Sequence, residues 1–420
     1  MSATRSDSYV MSVSIIGILF FIFGFVTWLN GTLIPFLKLA CDLRSDAQAL
    51  LVTFAFYMAY FFLAIPSSMI LEKTGFKNGM SLGLFVMAIG ALIFIPAATG
   101  RSFPLFLSGL FIQGMGLSLL QTASNPYISV IGPIESAASR ISIMGICNKV
   151  AGAISPLILG AIVLEGATEI EQKIASTTDL AARSGLLQTL SHRVILPYAI
   201  MAAVLVLLAV MIRYSSLPEI ETGEEGDQAD RGKTSILQFP HLLLGAICIF
   251  IYVGAEVMAG DVITLYGKSI GISLDDAKNF TSYTLRSMVI GYIIGIFAIP
   301  KYLSQARALT WSAITGLLLA TLAFISEGYT SIVFIALLGF ANALMWPSIF
   351  PLAIEGLGKF TKIGSAILIM GIAGGAIVPQ IYARLSETLG PPAAFYTIMV
   401  PTYLYILYYS MKGHLAGRRA

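Results

Sequence analysis

Long apolar stretches separated by short polar breaks dominate the chain. A bilayer core about 30 Å thick is crossed by a helix of about 20 apolar residues, so each such stretch predicts one membrane-spanning helix. A transmembrane β-strand would instead alternate apolar and polar residues over about 10 positions. Twelve stretches are present, at 12–37, 46–71, 78–99, 102–131, 136–164, 192–216, 238–267, 276–300, 302–325, 329–357, 362–388 and 392–413. The pattern predicts an all-α membrane protein, whose spans are numbered 1 to 12 in chain order.

Composition supports this interpretation. Of the 420 residues, 57% are hydrophobic and 11% are charged, whereas about 25% of a soluble domain is charged. The mean hydropathy is +0.85. The net charge of only +3 argues against nucleic acid as a partner. The expected surrounding is the lipid bilayer. The three cysteines, Cys41, Cys147 and Cys248, are too few and too scattered for a metal cluster or a disulfide framework.

Basic and acidic residues predict the topology. An even number of spans places both termini on one side, and 14 of the 25 Lys and Arg residues fall on that side, 9 on the other and 2 within spans. The positive-inside rule therefore puts both termini in the cytoplasm. Residues 217–236 carry a cluster of acids and no bulky core, which predicts a solvated linker between bundles 1–216 and 237–420. The other long connection, 165–191, has helical apolar spacing and is predicted to lie on the outer surface.

The two halves resemble one another. The segment IFGFVTWLNGTLI at 22–34 aligns with IYVGAEVMAGDVI at 251–263, and Ile143–Ile146 aligns with Ile369–Ile372. Parallel repeats of six spans build one class of transporters. The sequence therefore predicts two six-helix bundles related by a pseudo-two-fold axis.

Ionisable residues inside spans are functional candidates, because each costs about 2.5–3.5 kcal/mol at the middle of an inserted helix. They are Lys149 in span 5, Glu256 and Asp261 in span 7, Arg286 in span 8 and Glu355 in span 10. Glu355 fits a helix end in water. Arg286 is left open between a functional role and snorkelling to the membrane surface.

Lys149 and Glu256 allow two interpretations. They are either a structural salt bridge between the halves, or a pair facing a wet cavity in which a carboxylate with an exchangeable partner couples cation binding to substrate binding. Asp261 lies five residues beyond Glu256, roughly 140° around the helix, so the two carboxylates should not face one point.

Uncharged polar side chains gather at matching places in the two halves. They are Asn30 in span 1, Gln113, Gln121 and Asn125 in span 4, Asn148 in span 5, Tyr252 in span 7, and Asn342 and Trp346 in span 10. Amides beside an aromatic face suit the hydroxyls and the C–H face of a sugar, so a monosaccharide site including Lys149 is predicted. The alternative is that the amides hold helices together. Asn125-Pro126 is also predicted to end the regular hydrogen bonding of span 4.

Several segments resemble a known family. Residues 68–77, SMILEKTGFK, resemble the G-x-x-x-D-R-x-G-R-[KR] signature of the major facilitator superfamily, with Ser68 and Phe76 departing from it. Nearly the whole chain resembles the fucose–galactose–glucose:cation symporter family. The segments that carry this resemblance are WLNGTLIP (28–35), LQTASNPY (120–127), YVGAEV (252–257), WPSIFPLAI (346–354) and GSAILIMGIAGGAIVP (364–379).

The resemblance implies a major facilitator fold and alternating access around a central sugar site. It also implies a functional monomer in the inner membrane of a bacterium. Asn30, Asn125 and Asn148 stand where the family has amides lining that site. The loop residues that match the signature would act in gating, and they are Glu72, Lys73, Gly75 and Lys77.

Two departures from the family bear on cation coupling. The fucose-type pattern reads L-N-D in span 1 and L-E-T in span 4, with the acids tied to proton coupling and sugar binding. Gly31 and Gln121 occupy those positions here, so coupling through acids at these two positions is excluded.

Two coupling mechanisms remain. Sodium could bind at Glu256 or Asp261, helped by backbone carbonyls. Alternatively, Glu256 takes a proton and releases Lys149. Sodium is preferred because some glucose-transporting members of the family are sodium-coupled, and no cofactor beyond the coupling ion is expected.

The predicted function is import of a hexose of the glucose and galactose class by cation symport. The sequence has no H-E-x-x-H motif and no repeated pore loop, so an enzyme or a channel is not expected. A transport-inactive sugar sensor is the alternative from a different class. On the coupling hypothesis, Glu256→Gln abolishes cation-driven accumulation and spares the fold.

Overall fold

A computed structural model describes residues 2–130, 137–215, 217, 235–299, 302–357 and 360–417. Side chains are described over the same ranges except for 2–10, 125–126, 129–130, 137–142 and 361–362. Within these ranges the chain is helical and contains no β-strand. The acidic linker residues 218–234 lie outside the described residues, so the bundle boundaries of the sequence analysis stay a prediction.

The helices follow the apolar stretches of the sequence. The first half contains Ser2–Thr27, Asn30–Ala40, Asp46–Ala49, Leu51–Thr99, Phe103–Val130, Ala137–Val163, Ala167–Ser176, Leu180–His192 and Ile195–Tyr214. The second half contains Pro240–Gly260, Ile263–Ser269, Leu274–Ala277, Phe280–Ala298, Gln305–Ile325, Gly328–Asn342, Met345–Ile354, Thr361–Met370, Gly374–Leu389 and Pro391–Met411.

These helices form the twelve predicted spans. Ten helical runs of the described chain are long and apolar enough to cross a bilayer. One of them, Asp46–Thr99, holds spans 2 and 3, which Gly75 separates with φ 74° and ψ 169°. The uncharged helix Pro391–Met411, 21 residues long, supplies span 12. A left-handed φ is available to glycine without a Cβ clash, which explains why Gly75 stands at the junction of spans 2 and 3.

Glycines bring spans into backbone contact in both halves. A Cβ added at Gly24 in span 1 would lie 1.9 Å from the carbonyl oxygen of Asn148 in span 5. A Cβ added at Gly374 in span 11 would lie 1.7 Å from the carbonyl oxygen of Phe250 in span 7. Small residues allow such approaches between membrane helices. Corresponding pairs of spans, 1 with 5 and 7 with 11, are therefore packed in the same way.

The connections that follow odd-numbered spans lie on one face, opposite the chain termini, which is called the distal face below. The 165–191 segment forms two short helices here, Ala167–Ser176 and Leu180–His192. Polar contacts cross between the halves at this face. Lys268 pairs with Glu171, the Thr168 amide donates to Asp275 Oδ2 at 3.2 Å, and Gln380 Nε2 donates to the Ala47 carbonyl at 3.2 Å. The two halves are thus joined by polar contacts on the distal face.

Candidate functional site

The first helix of each half is interrupted near its middle. In span 1 the helix ends at Thr27 and resumes at Asn30, and the Leu29 amide bonds the Val26 carbonyl at 3.4 Å, with tighter spacing than an α-helix. In span 7 the amides of Asp261 and Val262 both donate to the Val257 carbonyl, at 2.8 and 3.1 Å. Interrupted helices at mid-membrane are where transporters of this architecture bind substrates and ions.

A cavity of about 160 Å³ lies between the halves beside these interruptions. Its volume is below the range of about 300–1,000 Å³ for pockets that hold drug-sized ligands, so it suits one small molecule. The lining combines aromatic rings with a few polar groups from both halves. The lining residues are Phe20, Phe23, Thr27, Trp28, Tyr57, Tyr60, Gln121, Gly145, Asn148, Lys149, Tyr252, Val253, Glu256, Tyr292, Trp346, Pro347 and Ile372.

An ion pair between the halves crosses this cavity. Lys149 Nζ of span 5 lies 2.9 Å from Glu256 Oε1 of span 7, and their side chains are only 10% and 12% exposed. The ammonium also lies 4.4 Å from the centre of the Trp28 ring, a geometry in which the ring face attracts a cation. Glu256 is therefore the partner of Lys149, a pairing that the sequence left open.

Two amides of the predicted sugar site also reach the cavity. Gln121 Nε2 donates to the Tyr60 hydroxyl at 2.8 Å, and Asn148 Nδ2 donates to the Phe20 carbonyl at 3.5 Å. Both residues line the cavity. Each amide is thus held by one hydrogen bond to the protein beside the space between the halves.

Trp346 and Tyr252 line the cavity on the side of the second half. The Trp346 ring stacks on Phe350, with centroids 5.7 Å apart. The cavity therefore offers an aromatic wall whose orientation is fixed by packing.

Asp261 lies apart from the ion pair, as its position on span 7 predicts. Its side chain is completely buried and is not part of the cavity lining. Its Oδ2 accepts a hydrogen bond of 3.1 Å from Tyr57, which does line the cavity.

Other predicted site residues are not brought to the cavity. Gln113 is buried and packs against Gly90 of span 3, and Asn342 accepts a hydrogen bond of 2.9 Å from Tyr403 of span 12. The Asn342 amide therefore joins spans 10 and 12, whereas Gln113 only packs against span 3. Asn30 is also buried and absent from the lining. The side chain of Asn125 lies outside the described residues.

Pro126 does not end span 4. The helix continues through it to Val130, so that prediction was wrong. Membrane helices tolerate an internal proline because neighbouring groups satisfy the freed carbonyl.

Arg286 and Glu355, two charged residues that the sequence places within spans, lie away from the cavity. Arg286 is exposed on the surface of span 8, with its guanidinium 5.8 Å from the Tyr283 ring. Glu355 is exposed directly after the helix that ends at Ile354. Both side chains are thus on the exterior, away from the cavity.

Sequence reasoning missed several cavity residues. Tyr57, Tyr60 and Tyr292 line the space, and the first two are three residues apart in an otherwise apolar helix. A tyrosine hydroxyl in such a setting needs a partner just as an amide does. That requirement was the signal by which they could have been found.

The predicted gating loop lies between spans 2 and 3. Glu72 and Lys73 are exposed in the last turn before the kink at Gly75. Lys77 Nζ donates to the Ser215 carbonyl at the end of span 6, at 3.2 Å. The loop is thereby tied to the part of the chain that leads into the linker.

Two G-x-S-x-G segments occur, at 79–83 and 267–271. Ser81 lies within a span and donates to the Ala209 carbonyl at 2.8 Å, and Ser269 donates to the Tyr266 carbonyl at 2.7 Å. A hydrolase nucleophile of this motif stands on a strand-to-helix turn. Neither serine has that setting.

Comparison with known proteins agrees with this architecture. The family model described as Major Facilitator Superfamily matches residues 16–379. A relative named glucose/galactose transporter, from Brucella abortus biovar 1 (strain 9-941), is 33% identical over 98% of this chain and 96% of its own. The L-fucose-proton symporter of Escherichia coli (strain K12) is 29% identical over 92% and 90% of the two chains. The chain belongs to the major facilitator superfamily and, within it, to the fucose–galactose–glucose:cation symporter family.

Solved structures show the same fold. The transporter FucP, crystallised in the outward conformation, superposes with a TM-score of 0.74 at 27% identity, over 96% of this chain and 98% of that one. The protein is thus a multi-pass membrane protein with twelve helices in two six-helix bundles.

Proposed function

We propose that the protein imports a hexose of the glucose and galactose class together with a cation, sodium being the coupling ion. It acts as a monomer in the inner membrane of a bacterium, with both termini in the cytoplasm. The observation that carries this proposal is the cavity between the halves, where aromatic rings, two amides and the Lys149–Glu256 pair meet.

The lining suits a monosaccharide. A sugar presents hydroxyls around its rim and C–H groups on its faces, so it needs groups that donate and accept, beside a flat apolar surface. Gln121 and Asn148 supply amides from the first half, and Trp346 supplies an aromatic wall from the second. The relatives named for glucose, galactose and fucose support the same substrate class.

The position of the cavity suits alternating access. Both halves contribute to its wall, and polar contacts such as Lys268–Glu171 join them on the distal face. A rocking motion of one half against the other would break these contacts and expose the cavity to the distal side. Surface ion pairs contribute about 0–1 kcal/mol each, so such a closure is readily reversible.

The function is tested by sugar uptake into proteoliposomes holding the purified full-length protein. A sodium gradient and a pH gradient are applied separately, with radiolabelled glucose and galactose as substrates. We expect accumulation under the sodium gradient. Accumulation under the pH gradient alone would support proton coupling, as in the relative named L-fucose-proton symporter. Sugar binding without counterflow exchange would instead indicate a sensor.

Gln121→Ala is expected to weaken glucose binding by about 3–10-fold, the effect of losing one hydrogen bond worth about 0.5–1.5 kcal/mol. The dissociation constant is measured by isothermal titration calorimetry on the purified protein. Gln113→Ala is the matched control, because Gln113 lies on the same helix and is equally buried but does not line the cavity. Equal losses in the two variants would contradict the placement of the sugar beside Gln121.

A further inference from the structure

One buried acid of the described spans, Asp261, belongs to no ion pair. Lys149 is paired with Glu256, which leaves the carboxylate of Asp261 completely buried. Among the described residues, no Lys, Arg or His side chain forms an ion pair with Asp261. An isolated carboxylate in a low-dielectric interior costs several kcal/mol. A bound cation at Asp261 would remove that cost.

Two buried side chains with an oxygen atom that lacks a partner lie near Gly31 of span 1. Asp261 Oδ1 and Thr281 Oγ1 are both buried, and neither has a hydrogen-bond partner among the described residues. Thr281 Oγ1 lies directly against Gly31, since a Cβ there would be 2.2 Å away from it. The backbone amide of Gly31 is also near the Asp261 carboxylate. A carboxylate oxygen from span 7 and a hydroxyl oxygen from span 8 thus flank one glycine of span 1.

Asp261 lies at the interruption of span 7, between the helices Pro240–Gly260 and Ile263–Ser269. The unpartnered hydroxyl of Thr264 lies one turn further along span 7 and is also buried. Carboxylate, hydroxyl and carbonyl oxygens are the ligands that a hard cation prefers.

We propose that the coupling sodium ion binds beside Asp261, with Asp261 Oδ1 and Thr281 Oγ1 among its ligands, outside the sugar cavity. This inference rests on the proposed function and locates its ion. Sodium fits the site better than a proton because it coordinates several oxygens at once. A proton would neutralise the Asp261 carboxylate but would give it only one hydrogen bond to donate.

Two side chains connect this ion site to the sugar cavity. Tyr57 donates to Asp261 Oδ2 and lines the cavity. Trp28 lines the cavity beneath Lys149 and packs against Gly260, where a Cβ would lie 2.4 Å from its ring. Sodium binding at Asp261 therefore changes the position of groups that contact the sugar, which is the physical requirement for coupling.

The test measures glucose binding and accumulation in full-length protein as a function of sodium chloride, with choline chloride holding the ionic strength constant. In Asp261→Asn we expect the response to sodium to be lost. In Thr281→Val, which removes one ligand oxygen at nearly constant shape, we expect the half-saturating sodium concentration to rise at least tenfold. Mutating even a residue that only hydrogen-bonds a metal ligand typically lowers metal affinity by about 10–100-fold. Thr321→Val is the control, because the Thr321 hydroxyl bonds its own helix at 2.8 Å, and its sodium response should match wild type.

The outcomes separate this inference from the function itself. If wild type neither exchanges nor accumulates sugar, the proposed function fails. If wild type accumulates sugar with sodium, and both Asp261→Asn and Thr281→Val keep its half-saturating sodium concentration, the ion site is wrong while the function stands. Accumulation driven by protons and lost in Asp261→Asn would overturn sodium as the ion at this site. If Asp261→Asn does not fold, the half-saturating sodium concentration of Thr281→Val alone tests the ion site.

Discussion

Glu256→Gln is expected to destabilise the protein by about 3 kcal/mol or more and to abolish sugar transport. The sequence alone predicts that this variant spares the fold, and the contact with Lys149 revises that expectation. Removing one partner of a buried ion pair leaves the other charge uncompensated, at a cost of about 3–5 kcal/mol. The Lys149 side chain is still 10% exposed, so we expect a loss of stability near the lower end of this range. The unfolding midpoint of purified protein in one detergent, without sugar, measures it.

The double variant Lys149→Met/Glu256→Gln serves as the control. Replacing both members of a buried pair by neutral groups is often neutral or stabilising, so its unfolding midpoint should return to near that of wild type. Its transport should not return, because the charged pair that lines the sugar cavity is then absent. An unchanged midpoint in Glu256→Gln alone would show that Lys149 reaches water or another partner when Glu256 is neutral.

The fold was predictable because the requirement for long apolar helices acts on each segment separately. Every span appears as a continuous apolar stretch, and the structure follows these stretches. The interruptions at Trp28–Leu29 and Asp261–Val262 were not predictable in the same way. No proline marks either site, and the only local signal is a glycine beside each break, Gly31 and Gly260, at matching positions of the two halves.

Only part of the membership of the site was predictable from the sequence. Charged residues within spans identified Lys149, Glu256 and Asp261, but the pairing depends on how spans 5 and 7 lie against each other. Gln113 and Gln121 are eight residues apart, about 12 Å along a helix. The two side chains can therefore share one face of span 4 without both reaching the cavity. The position along the helix decided which amide reaches the space between the halves.

The acid that the fucose-type pattern has at position 31 illustrates the same limit. In this chain Gly31 has no side chain, yet a carboxylate from the other half, Asp261, lies next to its backbone amide. A comparison of aligned positions detects the loss at 31. It cannot detect that a residue 230 positions later in the sequence occupies the same neighbourhood.

Gly374→Ala is expected to be among the most damaging single methyl additions in the chain, costing about 3 kcal/mol or more of stability. The new Cβ would lie 1.7 Å from the carbonyl oxygen of Phe250 and 2.6 Å from its carbonyl carbon. Both atoms belong to the backbone of span 7, so relief requires the two spans to separate. Inserting a methyl into well-packed surroundings costs about 1–3 kcal/mol even where side chains can move. The φ of Gly374 is −55°, so the penalty comes from space and not from backbone strain.

Gly185→Ala is the matched control for this substitution, because Gly185 lies in the surface helix Leu180–His192 with nothing within 4 Å of the added Cβ. Alanine there should be neutral or stabilise by about 0.5–1 kcal/mol. The comparison is made on unfolding midpoints in the same detergent, with Gly24→Ala as the equivalent change in the first half, where the Cβ would lie 1.9 Å from the Asn148 carbonyl oxygen. Similar losses at Gly24 and Gly374 would show that both halves depend on the same close approach of their first and fifth spans. A midpoint for Gly374→Ala equal to that of Gly185→Ala would mean that spans 7 and 11 are farther apart than the structure places them.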